Sequence, residues 1–183
     1  MKRFAFDREK FKNLVHYIIW SCPDKAKLGS VKIHKILWKS DTGSFLQRGE
    51  PITGAKYVKR QNGPTADALL PIRKELADDG AIKFWRDRKF AGDYAKDVYE
   101  ALKPPPAKFL TAKERRVVDY WIKHICMEHT AASISEESHG YAWEIAAMGE
   151  ELPMYAVLAE RGREPEGDEL AWAQDEARKR GYM

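Results

Sequence analysis

The sequence predicts a mainly α-helical, single globular domain with a small β-hairpin or short antiparallel sheet as an accessory. Three observations carry that prediction. Apolar residues recur at helical spacing in successive stretches from Phe11 onward, most of them bounded by capping or breaking residues. Strand-like character is confined to one short segment around residues 81–94. Finally, 183 residues with 44% apolar content and no internal repeat suffice for one core.

Taken in order, Asp7 caps a first helix that buries Phe11, Leu14, Val15, Ile18 and Ile19. It stops near Cys22-Pro23, because the residue before a proline is pushed out of the helical region. Gly29-Ser30 opens a second helix with Val31, Ile33, Ile36, Leu37 and Trp38 inward, placing Lys32, Lys35 and Lys39 on the wet side. Gly43 is expected to end it. Gly49–Pro64, GEPITGAKYVKRQNGP, is punctuated by Gly49, Pro51, Gly54, Gly63 and Pro64 and reads as shaped, irregular chain. A third helix starts at Thr65 or Asp67 and runs to Asp79, with Leu69, Leu70, Ile72 and Leu76 inside and Pro71 in its first turn. Residues 81–85 and 89–94 then flank a charged turn and read as a hairpin. Three prolines between Lys103 and Ala107 favour an extended, stiff span along the surface.

Thr111 caps the next helix, Glu114 completes a capping box, and Val117, Val118, Trp121, Ile122 and Ile125 form its apolar face. Ser135 is expected to cap a further helical stretch to Met148, with Tyr141, Trp143, Ile145 and Ala146 available for packing. Met154–Ala159 is a short helix, and Asp168–Arg180 has the acidic start and basic end of a terminal helix. The domain is therefore expected to span residues 7–160, with 161–183 a charged, helical C-terminal extension.

Composition narrows the function. No apolar run approaches the roughly 18 residues needed to cross a bilayer, and no secretory cleavage pattern is visible, so a cytoplasmic protein is expected with no membrane partner. Cys22 and Cys126, 104 positions apart, lack metal or disulfide-framework spacing. The net charge of +4 hides an asymmetry. Residues 1–60 hold 14 Lys/Arg against 5 Asp/Glu, whereas residues 111–183 hold 9 against 15. Such poles suit nucleic acid, a charged protein partner or self-association, or simply solubilise two faces of one domain.

Reactive-site spacing is poor. His124 and His129 are five apart, which splays side chains around a helix instead of stacking them, so no metal is expected. His16 and His34 fall within amphipathic helices and take structural roles. Ser138 and His139 are adjacent and so do not face each other on a helix; no catalytic residue is assigned. No phosphate-loop or dinucleotide fingerprint is present, and no cofactor is expected. Lys56, Lys59 and Arg60 around Tyr57 give only a weak nucleic-acid signature, so direct binding is not favoured.

Two segments go further. LGSVKIHKILWKSDTGSFLQRGEPITGAKYVKRQNGPTADAL resembles the N-terminal half of the SocA-like Panacea domain family. The shared features are an apolar Lys-bearing helix with Lys35, a Gly-x-Pro-Ile-x-Gly segment over Gly49, Pro51 and Gly54, the aromatic-Val pair Tyr57-Val58, and Gly63-Pro64. LTAKERRVVDYWIKHI and ISEESHGYAWEIA resemble the family's later helix and its Ser-His…Trp element, carried here by Ser138, His139 and Trp143. The resemblance runs from about residue 10 to residue 155. This chain departs from the pattern at Ile33-His34-Lys35, where a Leu-Gln-Lys run is common, and in the Thr-Ala that follows Gly63-Pro64.

The resemblance implies an antitoxin of bacteria or phages that neutralises a cognate protein toxin by direct, noncatalytic binding. An adaptor delivering a partner to a protease is the alternative it allows, and a nucleic-acid-binding regulator is a further one. Lys56, Tyr57, Lys59, Arg60, His139 and Trp143 are the expected contacts. For Tyr57 and Trp143 a place in the core stays open, as does a helix-start role for Ser138 and His139. Homo-oligomerisation through the complementary poles is likewise open.

Overall fold

A computed structural model describes residues 4–87 and 96–161, together with Arg178. Six α-helices and two two-stranded antiparallel sheets are defined among them: α1 Arg8–Ser21, α2 Ser30–Arg48, β1 Tyr57–Arg60, β2 Gly63–Ala66, α3 Leu69–Asp78, β3 Ile82–Asp87, β4 Lys96–Ala101, α4 Ala112–Glu128, α5 Ala131–Glu137 and α6 Tyr141–Ile145. Short 3-10 segments lie at Lys25–Lys27 and Met154–Arg161. The architecture is mainly helical, as the sequence predicts. The terminal helix expected over Asp168–Arg180 falls largely outside the described residues.

Helix α2 is the central element, packing on α1, α4, α5 and the β1–β2 hairpin. Phe11, Leu14 and Ile18 of α1, Ile33, Ile36 and Leu37 of α2, and Val118 and Ile125 of α4 are all fully buried. Each large aliphatic side chain removed from water contributes about 1.5–3 kcal/mol. Two-stranded ribbons are marginal by themselves, so the hairpins depend on packing against these helical stripes.

Local chemistry sets most boundaries. The Asp7 carboxylate accepts from the Lys10 amide at 2.9 Å. Thr111 and Glu114 form the expected reciprocal capping box. Helix α2 does not end at Gly43. That glycine instead lets α4 approach, since a Cβ there would lie 3.1 Å from Trp121 Nε1, and the helix ends at Gly49 with φ of 76°.

Several sequence expectations fail for identifiable reasons. Lys32 and Lys35 are buried, because α2 is covered on nearly every side and has no fully wet face. Leu70 is 59% exposed, because α3 begins at Leu69, later than expected, and turns Leu70 outward; Thr65 belongs to β2. The partner of β3 is Lys96–Ala101, in register Ile82↔Ala101 through Asp87↔Lys96, and the 89–94 segment lies outside the described residues. Ser135 does not cap a helix. Thr130 does, with Ser133 completing its capping box, and the chain breaks between α5 and α6. Tyr141 and Ile145 consequently face solvent at 47% and 50% exposure. The buried free thiols Cys22 and Cys126, remote in sequence, meet with sulfurs 3.0 Å apart.

Candidate protein-interaction site

The Gly49–Pro64 stretch is anchored before it is displayed. Asp41, fully buried on α2, accepts from the Thr53 amide at 2.8 Å, the Thr53 hydroxyl at 2.6 Å and the Tyr57 hydroxyl at 2.8 Å. Burial raises the Asp41 carboxyl above its ordinary range, and these donors oppose that shift. Ser44 donates to the Glu50 carbonyl at 2.6 Å, and the Asp7 amide donates to the Thr53 carbonyl at 2.9 Å. Gly54 is pressed against the Ala5 carbonyl, where a Cβ would sit 2.4 Å from the oxygen. The Pro-Ile-Thr segment is therefore a clamp between the chain start and α2.

Tyr57 follows into the core, 1% exposed, with its ring edge-on to Trp38 at 5.0 Å. It is thereby removed from the expected contacts. The chain then forms the β1–β2 hairpin, closed at Gln61-Asn62 with Arg60 opposite Gly63. No non-glycine residue among those described has positive φ, so the turn's left-handed position falls to Gly63, at φ of 90°.

Gly63 is also a packing keystone. A Cβ there would lie 2.4 Å from Ser138 Oγ and 2.7 Å from Lys35 Nζ. Lys35 is 1% exposed, donates to the Pro64 carbonyl at 2.9 Å, and is pushed down to about 7 by burial. Beside it, His34 Nδ1 accepts from the Ala66 amide at 3.1 Å, and burial lowers its pKa to about 3, keeping it neutral. Ser138 Oγ donates to the Ser135 carbonyl at 2.7 Å and makes no pair with His139. Lys35, Gly63 and Ser138 thus lock the hairpin to the α5–α6 junction.

Over this lock sits an aromatic stack. The His139 and Trp143 rings are 3.8 Å apart and nearly parallel, at 10°. Lys59 Nζ lies 3.9 Å from the Trp143 ring centre and donates to the Ala146 carbonyl at 3.0 Å. The Trp143 indole N–H donates to the Arg60 carbonyl at 3.1 Å. Burial, then the neighbouring Lys35 and Lys59 charges, hold His139 below the usual imidazole value. The following chain adds itself beside β1: the Lys59 amide donates to Glu150 at 2.8 Å and the Leu152 amide to Tyr57 at 2.7 Å.

Two segments some 80 residues apart, 56–60 and 138–143, thus form one structural unit. Residues 33–144, more than half of the chain, match the family model described as antitoxin SocA-like, Panacea domain. The chain belongs to the Panacea family. Among curated proteins and solved structures, none matches it. The Panacea match includes the keystone residues Lys35, Gly63 and Ser138 and the stack of His139 and Trp143; the chain at 149–152 that flanks β1 lies beyond it.

Of the expected contacts, Lys56 and Arg60 are exposed, and Lys59, His139 and Trp143 are half-buried. Lys56 has Asp67 at 4.0 Å and Glu151 at 3.9 Å, both exposed pairs worth little. Tyr141 and Ile145, expected to be available for packing, are exposed, as is Met148 at 62%. The break between α5 and α6 turns Tyr141 and Ile145 outward, and Gly140 marks it in the sequence. His124 and His129 also contradict the expectation that they splay, because α4 ends at Glu128 and their Nε2 atoms meet at 3.3 Å. No described helix is long and apolar enough to cross a membrane.

Proposed function

We propose that this Panacea protein is an antitoxin that neutralises a cognate protein toxin by direct, noncatalytic binding. Its contact face is centred on Lys59, Arg60, His139 and Trp143. The family match is the observation that carries the reading, and the stack built from two distant segments supports the choice of face. A specific interface needs a desolvated aromatic or arginine anchor surrounded by a polar rim. Trp143 has the chemistry of an anchor, and Arg60, Lys56 and the turn at Gln61-Asn62 have that of a rim. Tyr141 and Ile145, four apart on α6, add exposed apolar area. The complementary toxin surface is therefore apolar at its centre and acidic at its edge.

Co-expression with the product of the adjacent gene tests the function. Growth arrested by that product is expected to resume, and the two proteins to co-purify. Failure of both with every neighbouring candidate contradicts the reading. Rescue accompanied by a shortened toxin half-life would replace steric neutralisation with delivery to a protease.

A further inference from the structure

We propose that His124, His129 and Glu137 form a Zn²⁺ site that ties the end of α4 to α5. The site is independent of the toxin-binding face and uses none of its residues. It arises because α4 stops at Glu128 and His129 adopts an extended backbone, φ −118° and ψ 147°, before α5 begins. His129 Nε2 then lies 3.3 Å from His124 Nε2 and 3.2 Å from Glu137 Oε2. The three ligand atoms all fall within 4.8 Å of one another.

Two of the separations, 3.3 and 3.2 Å, match the edges of a tetrahedral ion, and the exposed Glu137 carboxylate turns toward His124 to close the third. Bond lengths of about 2.0–2.1 Å give ligand–ligand edges of about 3.3–3.4 Å around tetrahedral zinc. Two imidazoles and a carboxylate, with no thiolate, leave a fourth position for water or a partner's donor.

The outer contacts also fit. His124 Nδ1 lies 2.7 Å from Glu128 Oε2, a carboxylate that fixes the tautomer and leaves the Nε2 lone pair free. His129 Nδ1 lies 3.2 Å from Ser133 Oγ, itself held by the Thr130 capping box. The Tyr120 ring stacks on His124 at 5.6 Å, and the Trp121 ring meets it edge-on at 5.7 Å. Lys39 Nζ lies 3.5 Å from Glu137 Oε1, the oxygen not offered to the ion. Side-chain exposures of 24%, 16% and 40% for His124, His129 and Glu137 leave a route for a hydrated ion.

In the metal-free protein a hydrogen bond from His129 Nε2–H to His124 and Glu137 accounts for the same distances. On zinc uptake the His129 proton moves from Nε2 to Nδ1, where Ser133 Oγ accepts it, and Nε2 is left free to ligate. Calorimetric titration of untagged, metal-stripped protein with Zn²⁺ at neutral pH separates the two states. One ion per chain is expected, with a higher melting temperature, and Co²⁺ in its place should give the visible bands of a tetrahedral site. His124→Ala and His129→Ala should each lower affinity by about 100-fold or more, and Glu128→Gln by about 10-fold at unchanged stoichiometry. Circular dichroism checks each variant, and a variant that fails to fold is replaced by the Gln substitution. Absence of Zn²⁺ binding overturns the proposal. So does binding that survives both histidine variants, or that is abolished by Cys22→Ser instead.

Discussion

Gly63 concentrates the constraints on the site into one residue. It combines a left-handed backbone with van der Waals contact to two polar groups, Ser138 Oγ and Lys35 Nζ, that are tied to backbone carbonyls. Gly63→Ala is expected to cost about 2–3 kcal/mol in chemical denaturation, from strain plus displacement of the lock. A cost under half a kcal/mol would mean that the hairpin and the α5–α6 junction are not coupled. His34 gives a second residue-scale expectation. Its folded pKa of about 3 lies below the ordinary value of 6.5, so between these values the unfolded chain binds a proton that the native state refuses. The stabilising contribution is full above pH 6.5 and is lost as pH falls toward 3. His34→Asn, which keeps an acceptor for the Ala66 amide, should flatten that part of the stability–pH curve, measured by urea unfolding at several pH values.

At the scale of elements, the capping box of α4 does two jobs. Its Glu114 accepts from the Thr111 amide at 2.8 Å and also binds Lys10 at 2.8 Å and Arg48 at 3.2 Å, so it stitches α4 to α1 and α2. Burial pushes its carboxyl up, but Lys10 and the Thr111 amide outweigh that and hold it low. Thr111→Ala should cost about 1 kcal/mol, as a lost cap does. Glu114→Gln should cost more, because two partly buried cations then lose their counter-charge. Thermal denaturation of the two variants should preserve that order. The caps at Asp7 and Thr111 were legible in the sequence because a cap is a local pattern. The β1–β2 hairpin was not: Tyr57–Arg60 is four residues long, and its partner begins Gly-Pro, a pair that reads as a loop. The burial of Lys35 was equally hidden, since it depends on α5 closing over α2 from about 100 residues downstream. Site residues were legible only as motifs; their stacking partners were fixed by the tertiary fold.

For the molecule as a whole, the two charge poles of the sequence interleave in part among the described residues. Cations of the basic first third pair with carboxylates of the acidic last part: Lys10 and Arg48 with Glu114, Lys39 with Glu137, Lys56 with Glu151. That interleaving argues against a nucleic-acid groove assembled from those lysines and favours a mixed face suited to protein. Whether this face binds the toxin is tested most directly by affinity for the purified cognate toxin. Trp143→Ala should weaken binding by about 30-fold or more, the loss of an interface anchor. Arg60→Glu, a change at an exposed side chain that leaves folding intact, should weaken it in a salt-dependent way. Wild-type affinity in both folded variants would contradict the account.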